Sequence, residues 1–247
     1  MAASPLSNAA AVEELPLISS ALMLRATAGL AILASLTVGI AVGGHTDSQT
    51  PVTVTIGTDS LRLAANTIRF PSERVDGPAE RADLYLTWPQ MQGYSAADSQ
   101  RFNDISQSAS LIFLQISQST MSRDMSGRLE PIYSHLVDGK PALGPYGLTA
   151  QRLRADAGYN GETLLTAKRP GEPDYVVRCI LPATPAEATS GDCQRDIKLG
   201  RDLSVLYRFS SASLADWQHI DAAIRTFVES RLVSGPSAAG SGSGTDG

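Results

Sequence analysis

The sequence is poor in the residues that carry most catalytic chemistry. It holds 2 cysteines and 3 histidines in 247 residues, which excludes cysteine-rich zinc modules and dense disulfide scaffolds. Charge is scarce as well, at 18% of residues, and its balance is acidic: 20 Lys and Arg stand against 25 Asp and Glu, a net charge of −5. A nucleic-acid binder should show a basic excess, so nucleic acid is excluded as a partner. No G-x-S-x-G, H-E-x-x-H or G-x-x-x-x-G-K occurs, which leaves no local signature for a nucleophile, a zinc site or a P-loop. No cofactor and no metal are expected. At 43% hydrophobic residues, the chain can still build one domain of ordinary size around a real core.

The mean hydropathy of −0.05 averages over a very uneven chain. Residues 26–44, ATAGLAILASLTVGIAVGG, carry no charge and lie between Arg25 and the polar His45 and Asp47. At 1.5 Å per residue they cover about 28 Å, roughly the hydrocarbon thickness, so the run predicts a transmembrane helix. A cleaved signal peptide competes, because Ala41-Val42-Gly43 forms a small-x-small site. Against cleavage, Glu13 and Glu14 precede the run with a single basic residue, Arg25. Arg25 next to the span, with Arg62 the first basic residue beyond it, puts the N-terminus in the cytoplasm and the rest outside. Thr27, Ala31, Ser35, Gly39 and Gly43 fall four apart on one stripe of this helix. Such a stripe lets helices approach closely in lipid, so membrane lipid and other membrane-protein subunits are the expected partners.

The layout expected is a cytoplasmic tail (1–25), a transmembrane helix (26–44), a linker (45–50), a periplasmic α+β domain (51–233) and a disordered tail (234–247) with no residue able to build a core. Residues 12–24, VEELPLISSALML, suit either a short interfacial helix or a disordered lead-in.

Within the domain, Val52, Val54 and Ile56, then Leu61 and Leu63, then Leu84, Leu86 and Trp88 alternate with period two and predict strands. Ser95 with Asp98 resembles a capping box and predicts a helix over 96–108. Residues 110–118, SLIFLQISQ, read as a buried strand. Residues 119–137 mix helical and strand signals, and the strand is preferred. GETLLTAK (161–168) with DYVVRCIL (174–181), and CQRDIKL (193–199) with LSVLYRF (203–209), predict two hairpins in an antiparallel meander. Parity puts Tyr175, Val177, Cys179, Leu181, Cys193, Ile197, Leu199, Leu203, Val205, Tyr207 and Phe209 on one side. Arg178, Gln194, Asp196, Lys198, Ser204 and Arg208 fall on the other, implying a sheet covered on one face only. Leu214, Trp217, Ile220, Ile224, Phe227 and Leu232 predict an amphipathic helix of about twenty residues as the cover. The fold class expected is therefore α+β: a transmembrane helix, then an antiparallel meander packed on a long C-terminal amphipathic helix.

Cys179 and Cys193 both fall on the core side, and pairing them would close a loop worth about 3 kcal/mol in an oxidising compartment. A catalytic dithiol is excluded by the missing C-x-x-C spacing. His135 and His219 are the only imidazoles in the body of the domain, and His219 and Asp221 diverge on a helix. Arg178 and Arg208 on the charged side read either as solvated cross-strand partners of Asp196 or as a face for an anion or a partner. The run Arg178-Cys179, Cys193-Gln194-Arg195, Tyr207-Arg208-Phe209, Leu214 and Asp216-Trp217 resembles uncharacterised bacterial proteins anchored by one N-terminal helix with a small envelope domain. That resemblance covers the last third of the chain and implies location and fold, with no reaction. The function expected is a non-catalytic, inner-membrane-anchored periplasmic protein, an accessory or scaffold subunit of an envelope complex. The alternative is a periplasmic module for an anion or cell-wall fragment.

Overall fold

Two-residue alternation converts directly into strands here, because each apolar residue in the runs finds a packed face. The computed structural model describes residues 44–233, which belong to one unit. β1 (Pro51–Ile56) and β2 (Asp59–Ala64) form an antiparallel hairpin. Val52, Val54, Ile56, Leu61 and Leu63 are all buried on one side of it. A two-residue strand, β3 (Gly77–Pro78), pairs in parallel with β1 to complete a small three-stranded sheet.

The large sheet has eight antiparallel strands: β4 (Arg81–Thr87), β5 (Leu111–Gln118), β6 (Val137–Leu143), β7 (Thr149–Leu153), β8 (Glu162–Ala167), β9 (Tyr175–Ile180), β10 (Cys193–Leu199) and β11 (Leu203–Phe209). Their spatial order is β4-β5-β11-β10-β9-β8-β7-β6. The chain thus enters at one edge, crosses to the other with β6, and returns as a meander that closes against β5. The inner face buries Leu84, Leu114, Leu165, Val177, Ile197, Val205 and Phe209 in one core with the small sheet and the C-terminal helix Trp217–Glu229. Asp59 joins the two sheets: its carboxylate accepts from the backbone N–H groups of Arg201 and Asp202, both at 3.0 Å, and so holds the β10–β11 turn. That turn needs Gly200, whose φ of +59° places it in the left-handed region.

Several expectations require correction. Of the run 26–44 only Gly44 is described, and it is not helical; the rest, with Thr27, Ala31, Ser35, Gly39 and Gly43, lies outside the described residues. So do residues 12–24 and the tail from 234. Among the described residues no helix is long and apolar enough to cross a membrane. The C-terminal helix has 13 residues, about 20 Å, and is amphipathic. It is shorter than expected because residues 211–216 wind as a 3₁₀ turn before it. The described residues fold as an α+β domain with a large antiparallel sheet and a C-terminal helix, and no membrane-spanning helix is among them.

The capped helix over 96–108 is likewise broken. Ser95 does cap it, its Oγ accepting from Asp98 N–H at 3.2 Å, but the α-helix runs only from Ser99 to Asn103. Asp104 then takes an extended backbone and starts a new cap by accepting from Ser106 N–H at 2.9 Å. Residues 119–136 form consecutive turns rather than a strand. Met125 and Tyr133 from this segment, with Leu153, Leu164 and Val176, build a second core on the outer face of the large sheet. One-sided cover is therefore wrong over β7–β9, which are packed on both faces.

Candidate functional site

The strand β10 has two unequal neighbours. With β11 it pairs along its whole length, Cys193↔Phe209 through Leu199↔Leu203. With β9 it pairs only at Cys193↔Cys179 and Gln194↔Arg178. The Cys179–Cys193 disulfide locks that short register, with Cα atoms 4.1 Å apart. Beyond it the strands part, and the fully buried Arg195 fills the opening. Its Nη1 donates to the Val176 carbonyl at 2.8 Å and to Ser126 Oγ at 3.1 Å, and its Nε donates to Asp221 Oδ1 at 2.9 Å. A single guanidinium thus bonds a strand backbone, the outer cover and the inner helix, replacing the missing ladder.

Asp221 is saturated. Tyr207 Oη donates to Oδ1 at 2.8 Å, while Arg169 Nη1 at 2.8 Å and Arg225 Nε at 3.3 Å donate to Oδ2. Burial alone would raise its pKa, but the charges of Arg195 and Arg225 and the hydrogen bonds more than offset this and hold the carboxyl well below the usual carboxylate range. Burial raises the Tyr207 hydroxyl well above its ordinary value, and the neighbouring Tyr175 and Asp221 push the same way. A carboxylate with four donors and a lowered pKa is neither a base nor a nucleophile near neutral pH. The cluster is structural. His135 and His219 are both exposed.

The outer face shows a different arrangement. Strand registers set its side chains in rows: Phe113, Arg208, Gln194 and Arg178 form one, Gln115, Leu206 and Asp196 the next, Ser117, Ser204 and Lys198 the third. The first row is covered at its ends. On the β4 side Tyr85 lies under His45, Tyr94 and Phe102, whose rings stack edge and face within 4.5 to 6.2 Å. On the β9 side the turns 121–136 close over Leu164 and Val176. Between these covers the outer face of β5, β11 and β10 stays open among the described residues, as two adjoining hollows floored by Phe113, Gln115 and Leu206. Arg69 and Phe70 wall one side; Met121 and Arg123 wall the other. Arg69 is fixed by two rings, its Cζ 5.0 Å from the centre of Phe70 and 5.2 Å from that of Phe113.

Arg178 and Arg208 share a row but not a site. Arg178 is tucked under the β9-side cover, 3.3 Å from Glu162 and 5.0 Å over the Tyr159 ring. Arg208 is exposed in the open stretch, its Nε donating to Gln194 at 3.0 Å. Asp196 pairs with neither; its partner is Arg128. Sequence reasoning overlooked Arg195 and Asp221. Arg195 occupies an inward position between Cys193 and Ile197, and Asp221 follows Ile220 on the apolar helix face. Charges at core positions were the available signal.

No family model matches the chain, and no curated protein matches it. Among solved structures, an immunity protein of the Stenotrophomonas maltophilia type IV secretion system, Smlt3025, is similar in fold. The likeness covers 78% of this chain and 97% of that one, at 16% identity and a TM-score of 0.53. The Neisseria meningitidis iron-regulated outer membrane lipoprotein FrpD aligns over 75% of this chain and 95% of its own, at 13% identity and a TM-score of 0.40.

Proposed function

We propose that the domain is a non-catalytic protein-binding module of the bacterial cell envelope, an accessory subunit that works on the periplasmic side. The observation that carries this reading is the open stretch of outer sheet face between two built covers. The same outer face is covered over β8 and β9 but leaves Phe113 and Leu206 accessible over β5 and β11, with Phe70 and Met121 at the margins, which is the pattern of a recognition surface. The disulfide favours an oxidising compartment, where such bonds persist. A secretion-system immunity protein is built on the same fold, which is in keeping with work at the envelope. The two hollows are shallow and hold no convergent acid, base or nucleophile among the described residues, in contrast to a catalytic cleft.

Native purification of the tagged full chain from its own host tests the reading. The unaltered chain should bring down one protein in stoichiometric amount, and Phe113→Asp with Leu206→Asp should lose it while melting normally. Equal recovery of the partner by the variant would overturn the proposal.

A further inference from the structure

The charges around the open face that lack an ion-pair partner are of one sign. Around its hollows Arg69, Arg123, Lys198 and Arg208 are exposed, and among the described residues none of the four has a carboxylate within ion-pair distance. The carboxylates nearby are already engaged: Asp83 with Arg81 at 2.9 Å, Asp196 with Arg128, and Asp124 with the Gly127 N–H at 3.0 Å. This concentration of free cations stands out in a chain of net charge −5. Arg69, gripped between the Phe70 and Phe113 rings, is held in place before any partner arrives, so little side-chain entropy is lost on binding.

From this we infer that the occupant of the open face is an acidic segment of a partner protein, carrying apolar residues between its carboxylates. Its carboxylates meet Arg208 and Arg69 on one side of the trough and Lys198 and Arg123 on the other, while its apolar side chains rest on Phe113 and Leu206. The inference deepens the protein-binding reading and rests on it. A bilayer surface fits the geometry less well, because Lys198 and Arg208 lie on the sheet face between two covers that a flat surface cannot follow. The exposed edge strand β6 is a poorer recognition element, since Lys140 and Pro141 blunt it and its register with β7 is interrupted between Asp138 and Ala142.

The probe is a fluorescein-labelled octapeptide, Glu-Leu-Glu-Phe repeated twice, titrated with the purified full chain by fluorescence anisotropy. A matched peptide with Lys for Glu and vesicles of anionic phosphatidylglycerol serve as the other arms. The acidic peptide should bind, weaken about tenfold between 50 and 250 mM salt, and weaken at least about tenfold in Arg69→Glu with Arg208→Glu. Arg152→Glu, a surface change elsewhere, should leave it unaltered. Equal binding of the Lys peptide, an unchanged affinity in the double reversal, or binding to vesicles in place of the peptide overturns the inference. Co-purification separates its failure from that of the parent reading. A partner lost with Phe113→Asp and Leu206→Asp but kept by Arg69→Glu with Arg208→Glu refutes the acidic segment alone. A partner kept by both refutes the docking face itself.

Discussion

The two faces of the eight-stranded sheet are made by the same strands and do opposite work. On the inner face every residue of β11 from Leu203 to Phe209 that points inward is fully buried, against the small sheet and the C-terminal helix. One residue over in each case, Ser204, Leu206 and Arg208 point into a trough with nothing packed on it among the described residues. The lesson is that alternation specifies which residues share a face, whereas covering a face depends on segments far away in the chain. The same outer face is buried over β8 and β9 because residues 121–136 fold across it.

That contrast predicts a steep gradient of mutational cost. The largest loss is expected at the inner seam. Asp221→Ala leaves Arg195 buried without its carboxylate and should cost about 3 to 5 kcal/mol in a denaturant titration, as breaking a buried pair does. A loss below 1 kcal/mol would show that the inner face does not depend on the cluster. Next comes the staple of the same seam: Cys179→Ser with Cys193→Ser frees a link between residues 14 apart and should cost about 3 kcal/mol. The native chain should weigh about 2 Da less than the reduced one by mass spectrometry, one hydrogen for each sulfur bonded.

Acid should act on the inner seam too. The Asp221 carboxyl is held well below its unfolded range, so its contribution is complete above about pH 4 and fades as the pH falls below that. Stability measured between pH 5 and 2 should decline, and Asp221→Asn should flatten part of that decline. A variant with an unchanged slope would remove Asp221 from the account. The smallest effect belongs to the outer face: Leu206→Ala and Arg208→Gln should each shift stability by less than about 0.5 kcal/mol. A cost of 2 kcal/mol at Leu206 would mean that the trough is covered in the free protein.

The strands β8 to β11 were legible because each is a short alternating run bounded by turn residues, and β10 and β11 match their expected limits at both ends. The disulfide was legible for the same reason, since parity placed both cysteines inward. The inward position of Arg195 follows from the same alternation, but its partner does not: Asp221 lies 26 residues away on another element, and only tertiary packing brings them together. The turns 119–136 defeated periodicity because Pro131 interrupts the spacing of Leu129, Ile132, Tyr133 and Leu136, and their burial comes from β7, β8 and β9. The trough was half legible. Arg208 was identified on the outer face, while Arg69, Phe70 and Met121 reach it from loops that no local pattern aims there.

The central claim is that the open outer face, and no other exposed surface, receives the partner. A photo-crosslinking amino acid placed at Leu206, in the trough, and separately at Leu143, which is 92% exposed at the far edge of the sheet, tests it in living cells. The account predicts one discrete protein adduct from position 206 and none from position 143. Adducts from 143 alone, or from neither position, would contradict it.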